Sequence, residues 1–267
     1  MVHPLLDPDR RPIVGHRGNA AYAPENTMES FRQALAVGAE CVELDVRVSA
    51  DGVAMVMHDP TLDRTTDITG AVALLSAQQI RAADGGARFT RDGGRTFPYR
   101  GKGIGVPTLE DALIELVDVP LLIEIKTADA SAETRRVIER HAAEWRCVIE
   151  SFDALALEPF RGSRIAIGAS RADVTRLIHR VVTRRPVRSL PYSVMCLPPR
   201  LRGVPVPIAS LVHLTRPAGC LVHVWTINDA PVARRFWDVG VRGIISDDPA
   251  LMRRTRAAMP NASPARP

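Results

Sequence analysis

The sequence predicts a single α/β domain in which short buried strands alternate with helices. Apolar runs of strand length recur along the chain, and segments with the spacing of amphipathic helices separate most of them. The length of 267 residues is close to the roughly 250 residues of a (β/α)8 barrel, and no domain-scale linker interrupts the alternation.

The first predicted elements precede residue 60. The pattern predicts strands at Ile13–Gly15, Cys41–Val48 and Val53–Met57. A helix is predicted from Asn26 to Val37, because Asn26 and Glu29 have the spacing of a capping box. Residues 60–105 are polar and rich in glycine, too long for an ordinary loop, and are predicted to form an insertion.

The alternation resumes after the insertion. Strands are predicted at Pro120–Lys126, Cys147–Ser151, Arg164–Gly168, Ser193–Leu197, Leu221–Thr226 and Val241–Ser246. Helices are predicted at Thr108–Leu116, Ser131–His141, Ala154–Phe160, Ala172–Thr183, Ala209–Leu214 and Pro231–Val239, with a last helix from Pro249. The proline-rich stretch from Pro186 to Pro207 has the weakest pattern. The domain core is expected to span about 12–252, and residues 260–267 are predicted to be a frayed tail.

Composition narrows the class of protein. The net charge of +5 comes mainly from scattered arginines without interleaved aromatic residues, so we expect a solvated surface and no nucleic-acid partner. No uncharged apolar run is long enough to span a membrane, and the first residues lack the pattern of a signal peptide. We therefore expect a cytoplasmic protein with no stable membrane anchor. The four cysteines form no CxxC pair and are expected to be free thiols.

Charged residues interrupt two of the most apolar predicted strands. In the second strand Glu43 and Asp45 are two residues apart, so both carboxylates project from one face. The same spacing places Glu124 and Lys126 together on a later strand. Only two of the 35 basic residues are lysines, and Lys126 therefore indicates a position that needs an ammonium group.

Buried carboxylates that converge need compensation, because an isolated buried charge costs several kcal/mol. A divalent cation held by Glu43, Asp45 and Glu124 would supply it, and oxygen ligands favour Mg²⁺ or Ca²⁺ over Zn²⁺. The alternative is a set of ion pairs: Glu124 with Lys126, and Glu43 or Asp45 with Arg17 or Arg47. The spacing is compatible with both.

Two histidines follow predicted strand ends, which line the active face of a barrel. His16 follows the first strand and His58 follows the strand at Val53–Met57. Each alone is typical of a hydrogen-bonded structural histidine, but together beside acidic strands they suggest proton donors and acceptors. Trp225 ends another strand and is expected either to line the pocket or to pack in the core.

The order of these motifs resembles the glycerophosphodiester phosphodiesterase family. The resemblance covers about residues 12–252 and is thin between about 160 and 215. The motifs are His16-Arg17-Gly18, Pro24-Glu25-Asn26-Thr27, Glu43-Leu44-Asp45, Asp51-Gly52, His58-Asp59, Arg64-Thr65-Thr66, Pro107-Thr108-Leu109-Glu110, Glu124-Ile125-Lys126, Ser151-Phe152-Asp153, Trp225-Thr226-Ile227-Asn228, and Gly240-Val241 to Ser246-Asp247. Two positions depart from the family pattern: Arg242 replaces a frequent acidic residue, and Ser246 a frequent threonine.

The resemblance implies a (β/α)8 barrel with an insertion that caps its mouth and helps shape the substrate pocket. It implies one divalent metal ion at the three carboxylates, an acid–base pair formed by His16 and His58, and phosphate contacts from Arg17 and Lys126. We expect His16 to accept a proton and His58 to donate one.

The expected reaction is hydrolysis of a small glycerophosphodiester to an alcohol and glycerol 3-phosphate. Cleavage of lysophospholipids in the manner of phospholipase D is an alternative on the same scaffold. A non-catalytic barrel that binds phosphoesters is another. The sequence does not indicate an oligomeric state.

Overall fold

A cylinder of parallel strands forms the centre of the protein in a computed structural model that describes residues 3–259. The strands are β1 (Ile13–Gly15), β2 (Cys41–Val48), β3 (Ala54–Val56), β4 (Leu121–Ile125), β5 (Cys147–Glu150), β6 (Ala166–Ile167), β7 (Val194–Leu197), β8 (Arg200–Leu201), β9 (Val204–Pro205), β10 (Leu221–Val224) and β11 (Ile244–Ser246). The helices are α1 (Met28–Ala36), α2 (Ala77–Arg81), α3 (Leu109–Glu115), α4 (Ser131–Arg140), α5 (Ala154–Leu157), α6 (Arg171–Val182), α7 (Ile208–Thr215), α8 (Ala230–Asp238) and α9 (Pro249–Ala257).

Eight strands run parallel in the order β6–β5–β4–β2–β1–β11–β10–β7. The two ends of this order meet where Gly168 pairs with Val194 in a parallel bridge. Two backbone bonds support that closure: Ala169 N to Val194 O at 3.0 Å and Ser193 N to Ile167 O at 3.0 Å. A Cβ at position 168 would lie 2.7 Å from Oε1 of Glu150, so a larger residue there would require the Glu150 side chain to move. The predicted (β/α)8 barrel is confirmed.

Three strands lie outside the cylinder. β3 pairs antiparallel with the end of β2, with Val46 opposite Val56, and it is shorter than the predicted strand Val53–Met57. β8 and β9 form a small antiparallel hairpin directly after β7. The hairpin lies within the proline-rich stretch from Pro186 to Pro207, for which the sequence predicts no hairpin. The strand predicted at Ser193–Leu197 is present as β7.

Most predicted boundaries, including the start of the first helix, shift by only a few residues, but the predicted capping role of Asn26 is wrong. α1 begins at Met28, and its N-cap is Thr27, whose Oγ1 accepts from Ser30 N at 3.2 Å. Asn26 therefore does not cap the helix. It has a left-handed backbone (φ 56°) and points its amide into the barrel.

Side chains alternate along the strands as a barrel requires. On β2, Val42, Leu44 and Val46 point outward into the large core between strands and helices. The inward positions begin with Cys41, which packs with Val14, Leu122, Val148, Val194 and Ile245 in an apolar layer inside the cylinder. Above that layer, toward the carboxyl ends of the strands, the inward positions of β2 and β4 are charged.

The amino-terminal segment closes the opposite end of the barrel. Leu5 is completely buried and joins the inner apolar layer. Its carbonyl is 3.0 Å from Nε2 of His223 on β10, which is a buried structural histidine. The tail predicted at 260–267 lies outside the described residues. Between residues 3 and 259, no helix combines the length and apolarity needed to cross a membrane.

The insertion has its own small apolar cluster. Leu62, Val72 and Ile80 pack with Met55 and Met57 beside β3. Tyr99 also reaches the barrel, because its hydroxyl donates to Tyr22 O at 3.1 Å.

Candidate active site

Three carboxylates converge inside the barrel because β2 and β4 are neighbours in register. Asp45 lies opposite Glu124 in the pairing of these strands, and Glu43 is one inward position below Asp45. One oxygen of each carboxylate lies within 4.8 Å of the others. Glu43 and Asp45 are almost fully buried. The shared face predicted for these residues is present.

Two basic side chains partly neutralise this acidic cluster. Lys126 Nζ lies 2.7 Å from Glu124 Oε1 and 2.8 Å from Asp45 Oδ1. Arg17 Nε lies 3.2 Å from Asp45 Oδ2, and its backbone N–H donates to Glu43 Oε2 at 2.7 Å. The predicted pairing of Glu124 with Lys126 and of Asp45 with Arg17 is therefore seen. Arg47 instead donates to the carbonyl of His58 at 2.8 Å.

The charges of the cluster shift the pKa values of its own members. Burial and the neighbouring Asp45 raise the pKa of Glu43 above its usual range. Burial would also raise the pKa of Asp45, but Lys126 and Arg17 outweigh burial and hold it low. Burial disfavours the ammonium of Lys126, yet Asp45 and Glu124 raise its pKa. Two positive side chains thus face three carboxylates, a formal charge of −1 when all three are ionised, and burial together with that excess raises the pKa of Glu43.

A divalent cation fits this donor set. Asp45 Oδ1 is buried and accepts no hydrogen bond of good geometry, although Lys126 Nζ is near. Glu43 has the Arg17 amide as its hydrogen-bond donor and lacks an ion pair within 4.0 Å among residues 3–259. Carboxylate oxygens held on two rigid strands are suitable ligands for Mg²⁺ or Ca²⁺. Once bound there, such an ion would leave the cluster with a net charge of about +1, which a phosphodiester would neutralise.

Asn26 fixes the orientation of Asp45. Its Nδ2 donates to Asp45 Oδ2 at 2.8 Å, and its Oδ1 accepts from Asp45 N at 3.2 Å. Arg17 precedes it with another left-handed backbone conformation (φ 51°). Non-glycine residues in this conformation are uncommon and cluster at functional sites. The loops around the site therefore hold strained conformations that place an amide and a guanidinium on Asp45.

His16 is held by a carboxylate at the end of the last strand. Its Nδ1 lies 2.7 Å from Asp247 Oδ1. Asn228 donates to Asp247 Oδ2 at 2.6 Å and accepts from Ser246 Oγ at 2.9 Å. Burial alone would lower the pKa of His16, but the bond to Asp247 and the charge of Glu43 raise it. Asp247 thus favours the imidazolium form and turns Nε2 away from itself.

His58 is held in a similar way by its neighbour in the chain. Its Nδ1 lies 2.6 Å from Asp59 Oδ1, and Arg64 donates to Asp59 Oδ2 at 2.5 Å. Arg64 also bonds both oxygens of Glu25, at 2.6 and 2.7 Å, and Glu25 accepts from Arg17 at 2.8 Å. The hydrogen bond from Arg64 lowers the pKa of Asp59 to about 2. Burial lowers the pKa of His58.

One small cavity brings together all the predicted site residues except Asp45, which contacts Arg17 and Lys126. It has a volume of about 70 Å³ and is lined by His16, Arg17, Glu43, His58, Leu122, Glu124, Lys126, Glu150, Phe152, Trp225 and Ile245. An adjoining recess of about 430 Å³ shares His16 and Arg17 and is otherwise lined by Ala20, Ala21, Glu25, Asn228, Asp247 and Asp248. Trp225 lies edge-to-face with Phe152, with the ring centroids 5.9 Å apart. No residue of the described insertion lines either space, which differs from the expectation that the insertion shapes the pocket.

Several residues of the site have no role predicted from the sequence, although Asn228 and Asp247 belong to motifs of the family resemblance. Asp247 and Asn228 lie far from His16 in the sequence, and only barrel closure brings them together. Glu150 on β5 is a fourth acidic residue of the barrel interior, opposite Glu124, and burial raises its pKa to about 7. The sequence does indicate Glu150 as a candidate, because it is a charged residue in an otherwise apolar strand.

The fold and the cavity together indicate the class of protein. A polar site of converging carboxylates, basic groups and histidines at the carboxyl ends of barrel strands is the arrangement of a (β/α)8-barrel enzyme. A family model described as the glycerophosphoryl diester phosphodiesterase family matches residues 16–251. The chain belongs to this family, and the predicted family and enzyme class are confirmed.

Similar proteins cover nearly the same length. A Mycobacterium tuberculosis protein named "Probable glycerophosphodiester phosphodiesterase 2" is 35% identical over 258 residues, which cover 91% of this chain and 89% of that protein. The glycerophosphoryl diester phosphodiesterase domain of another M. tuberculosis protein has a TM-score of 0.82 at 24% identity, covering 93% of this chain and 100% of that domain. An Oleispira antarctica phosphodiesterase, solved in complex with the product sn-glycerol-3-phosphate, has a TM-score of 0.74 at 24% identity and covers 93% and 98%.

Proposed function

We propose that the protein hydrolyses small glycerophosphodiesters to an alcohol and glycerol 3-phosphate. The observation that carries this proposal is the cavity in which Glu43 and Glu124 meet both basic side chains and both histidines. Two of the carboxylates there, together with Asp45, would hold the cation, and the basic groups would meet the phosphate. Attack by water, or first by a glycerol hydroxyl, forms a new bond to phosphorus and breaks the bond to the head-group oxygen.

The two histidines would divide the proton transfers. Asp247 favours the charged form of His16, which suits a proton donor. The lowered pKa of His58 suits a proton acceptor. We therefore propose that His58 takes the proton of the attacking hydroxyl and His16 protonates the departing alcohol. This assignment is the reverse of the one expected from the sequence.

Lys126 and Arg17 would bind the non-bridging phosphate oxygens. Both are held by carboxylates within 3.2 Å, so their positive charges are positioned before the substrate arrives. Positioned charges stabilise the negative charge that develops on phosphorus-bound oxygens at little reorganisation cost. Trp225 and Phe152 would form an apolar wall beside the reacting group.

Glu43, Asp45 and Glu124 would hold one divalent cation, Mg²⁺ or Ca²⁺. When bound, it would act as a Lewis acid on the phosphate and orient the diester. The same three residues repel one another without it, so the folded protein should gain stability from binding.

The adjoining recess supports a small polar substrate. Glu25, Asn228, Asp247 and Asp248 line it, and these side chains suit hydroxyl or amine groups better than an acyl chain. The lysophospholipid and non-catalytic alternatives receive no support from the comparisons. The four cysteines are free thiols, which agrees with the proposed cytoplasmic location.

Phosphorus NMR of glycerophosphocholine hydrolysis tests the reaction. We expect glycerol 3-phosphate to accumulate when Mg²⁺ or Ca²⁺ is present, and no turnover in excess chelator. A matched substrate in which a simple alkyl group replaces the glycerol should react more slowly. Accumulation of phosphocholine, a persistent cyclic phosphate, or a preference for long-chain lysolipids would contradict the proposal.

A further inference from the structure

A long segment of the chain lacks acidic residues entirely. Between Asp173 and Asp229 there are 55 residues without aspartate or glutamate, and eight of them are arginines. This segment alone contributes eight positive charges, whereas the whole chain has a net charge of only +5, so the remainder carries a net charge of −3. The basic excess of the protein is therefore concentrated in one part of the sequence, which corrects the expectation of scattered arginines.

The fold turns this segment into one sector of the barrel. It contains most of α6, then β7, the β8–β9 hairpin, α7 and β10, and α6 packs against α7. All eight arginines are exposed. Arg176 pairs with Asp173 at the boundary of the segment, but the other seven have no carboxylate within 4.0 Å among residues 3–259. Acidic neighbours therefore do not neutralise the charge of this sector.

Four of these arginines surround a groove with an apolar lining. The groove has a volume of about 860 Å³, and Arg180, Arg184, Arg185 and Arg188 line it together with aliphatic and proline side chains such as Val187. None of its lining residues is acidic. Its chemistry therefore suits a ligand that is both anionic and apolar.

The β8–β9 hairpin adds exposed aliphatic side chains between two more arginines. Leu201 and Val204 are 49% and 66% exposed and face each other across the hairpin, flanked by Arg200 and Arg202. The hairpin leaves the barrel just after Leu197, whose carbonyl accepts from Trp225 N at 3.1 Å. It thus projects from the carboxyl end of the strands, whereas Arg184, Arg185 and Arg188 lie in the connection from α6 to the amino end of β7. A surface that contacts both must therefore lie along the α6–α7 side of the sector.

We propose that this acid-free sector docks the protein reversibly on an anionic phospholipid surface. Arginines near such a surface are attracted to its phosphates, and exposed aliphatic side chains enter the boundary between head groups and acyl chains. A single-stranded nucleic acid would need exposed aromatic side chains for stacking. The two aromatic residues of the sector do not offer them, because Tyr192 is buried and Trp225 lines the active site.

The docking should be weak and dependent on salt. Each arginine that reaches the surface increases the partition coefficient by roughly fivefold at low ionic strength. High salt screens the attraction between the arginines and the lipid phosphates, and two inserted aliphatic side chains are too weak an anchor to hold the protein alone. We therefore expect the protein to leave the surface at high salt. The contact brings an enzyme of lipid-derived substrates near their source without a membrane-spanning helix.

Vesicle sedimentation with the full chain tests this proposal. One set of vesicles contains phosphatidylcholine alone, and another contains an equal mixture of phosphatidylcholine and phosphatidylglycerol. We expect binding to the mixed vesicles only, and the variant R184Q/R185Q/R188Q should bind them roughly 100-fold more weakly. The variant L201S/V204S tests the hairpin and should also bind more weakly.

A matched control separates the sector from net charge. The variant R234Q/R235Q/R254Q removes three exposed arginines from α8 and α9 and should keep most of the vesicle binding. All three variants should hydrolyse glycerophosphocholine at the wild-type rate, since none of these residues lines the active site.

Three results would overturn the proposal: equal binding to neutral vesicles, equal weakening by the control variant, or tighter binding to a labelled oligothymidine than to anionic vesicles. Vesicle binding does not depend on turnover, so a failure of the proposed reaction would leave this result intact.

Discussion

Replacing Asp247 by asparagine would test how His16 obtains its charge and orientation. The carboxylate contacts Nδ1 of His16 at 2.7 Å and also accepts from Asn228 at 2.6 Å. An amide has only one oxygen, so the variant can satisfy one of these two donors and must face the other with an NH₂ group. The substitution therefore removes a negative charge and one hydrogen bond with almost no change in size.

The expected loss follows from those two contacts. A hydrogen bond to a charged group contributes about 1.5–3 kcal/mol, against about 0.5–1.5 kcal/mol for a neutral one. If His16 needs the contact in the transition state, a loss of about 1.5–3 kcal/mol lowers kcat by roughly 10- to 150-fold. The KM for a small diester should change much less, because Asp247 acts through His16.

The pH–rate profile provides the sharper readout. Asp247 raises the pKa of His16, so its removal should lower that pKa. If His16 is the proton donor, the alkaline limb of kcat moves to lower pH in D247N; if it is the acceptor, the acidic limb moves instead. Thermal stability should fall most between the ordinary pKa values of the two partners, 3.8 and 6.5. In that window both groups are already charged in the unfolded chain, so the ion pair forms without a change of protonation and contributes its full stability; above it the unfolded His16 loses its proton, and below it the unfolded Asp247 gains one.

The neighbouring variant D248N is the matched control. Asp248 caps α9 and accepts from Leu251 N at 2.8 Å, a role that asparagine also performs well. It loses the same formal charge one residue away and makes no contact with His16, so the limbs of the pH–rate profile should stay in place even if the position of Asp248 in the substrate recess changes KM. If D247N retains both the wild-type kcat and unshifted limbs, or if D248N shifts them equally, Asp247 does not control His16.

Three further experiments examine other parts of the structure. H16A and H58A should each lower kcat by roughly 10²–10⁴-fold, and the double variant should lose less than the product of both effects; near-normal turnover in either variant would show a structural histidine. Excess chelator should abolish activity and lower thermal stability, and a metal supplied at a hundredfold its Kd should restore about 2.7 kcal/mol; unchanged melting would exclude the three-carboxylate site. R146M should cost about 3 kcal/mol or more, because the buried guanidinium donates to the carbonyls of Leu113, Leu116 and Val119 at 2.7–3.2 Å, whereas R140M on the surface of α4 should change the unfolding free energy by less than about 1 kcal/mol.

The charged interior of the barrel was predictable because it depends on local periodicity. A strand alternates its side chains between two faces, so Glu43 and Asp45 must share a face wherever β2 lies. The same holds for Glu124 on β4. The pairing of β2 with β4 in register depends on tertiary structure. Apolar strands with charged inward positions nevertheless have few other ways to pack.

The contacts of the loops were not predictable in this way. Asn26 and Thr27 are both good helix caps, and local sequence cannot decide between them. The structure uses Thr27 as the cap, because the amide of Asn26 is needed on Asp45, nineteen residues away. Similarly, Asp247 reaches His16 only because Ser246 on β11 lies beside Gly15 on β1. A local pattern contains no information about that closure.

The side chains of the site are held in place in two ways, some by rigid strands and others by hydrogen bonds from loops. This difference explains why so many carboxylates surround the histidines. The groups that would bind the cation stand on β2 and β4, whose ladder of backbone bonds fixes them. The histidines follow strand ends and stand on loops, where the backbone alone does not fix a ring orientation. Each ring accordingly has its own carboxylate within 2.7 Å, and each of those carboxylates is bonded in turn, to Asn228 or to Arg64. Rigid loop histidines thus require at least four additional polar side chains, which is why charged residues extend so far beyond the reacting groups themselves.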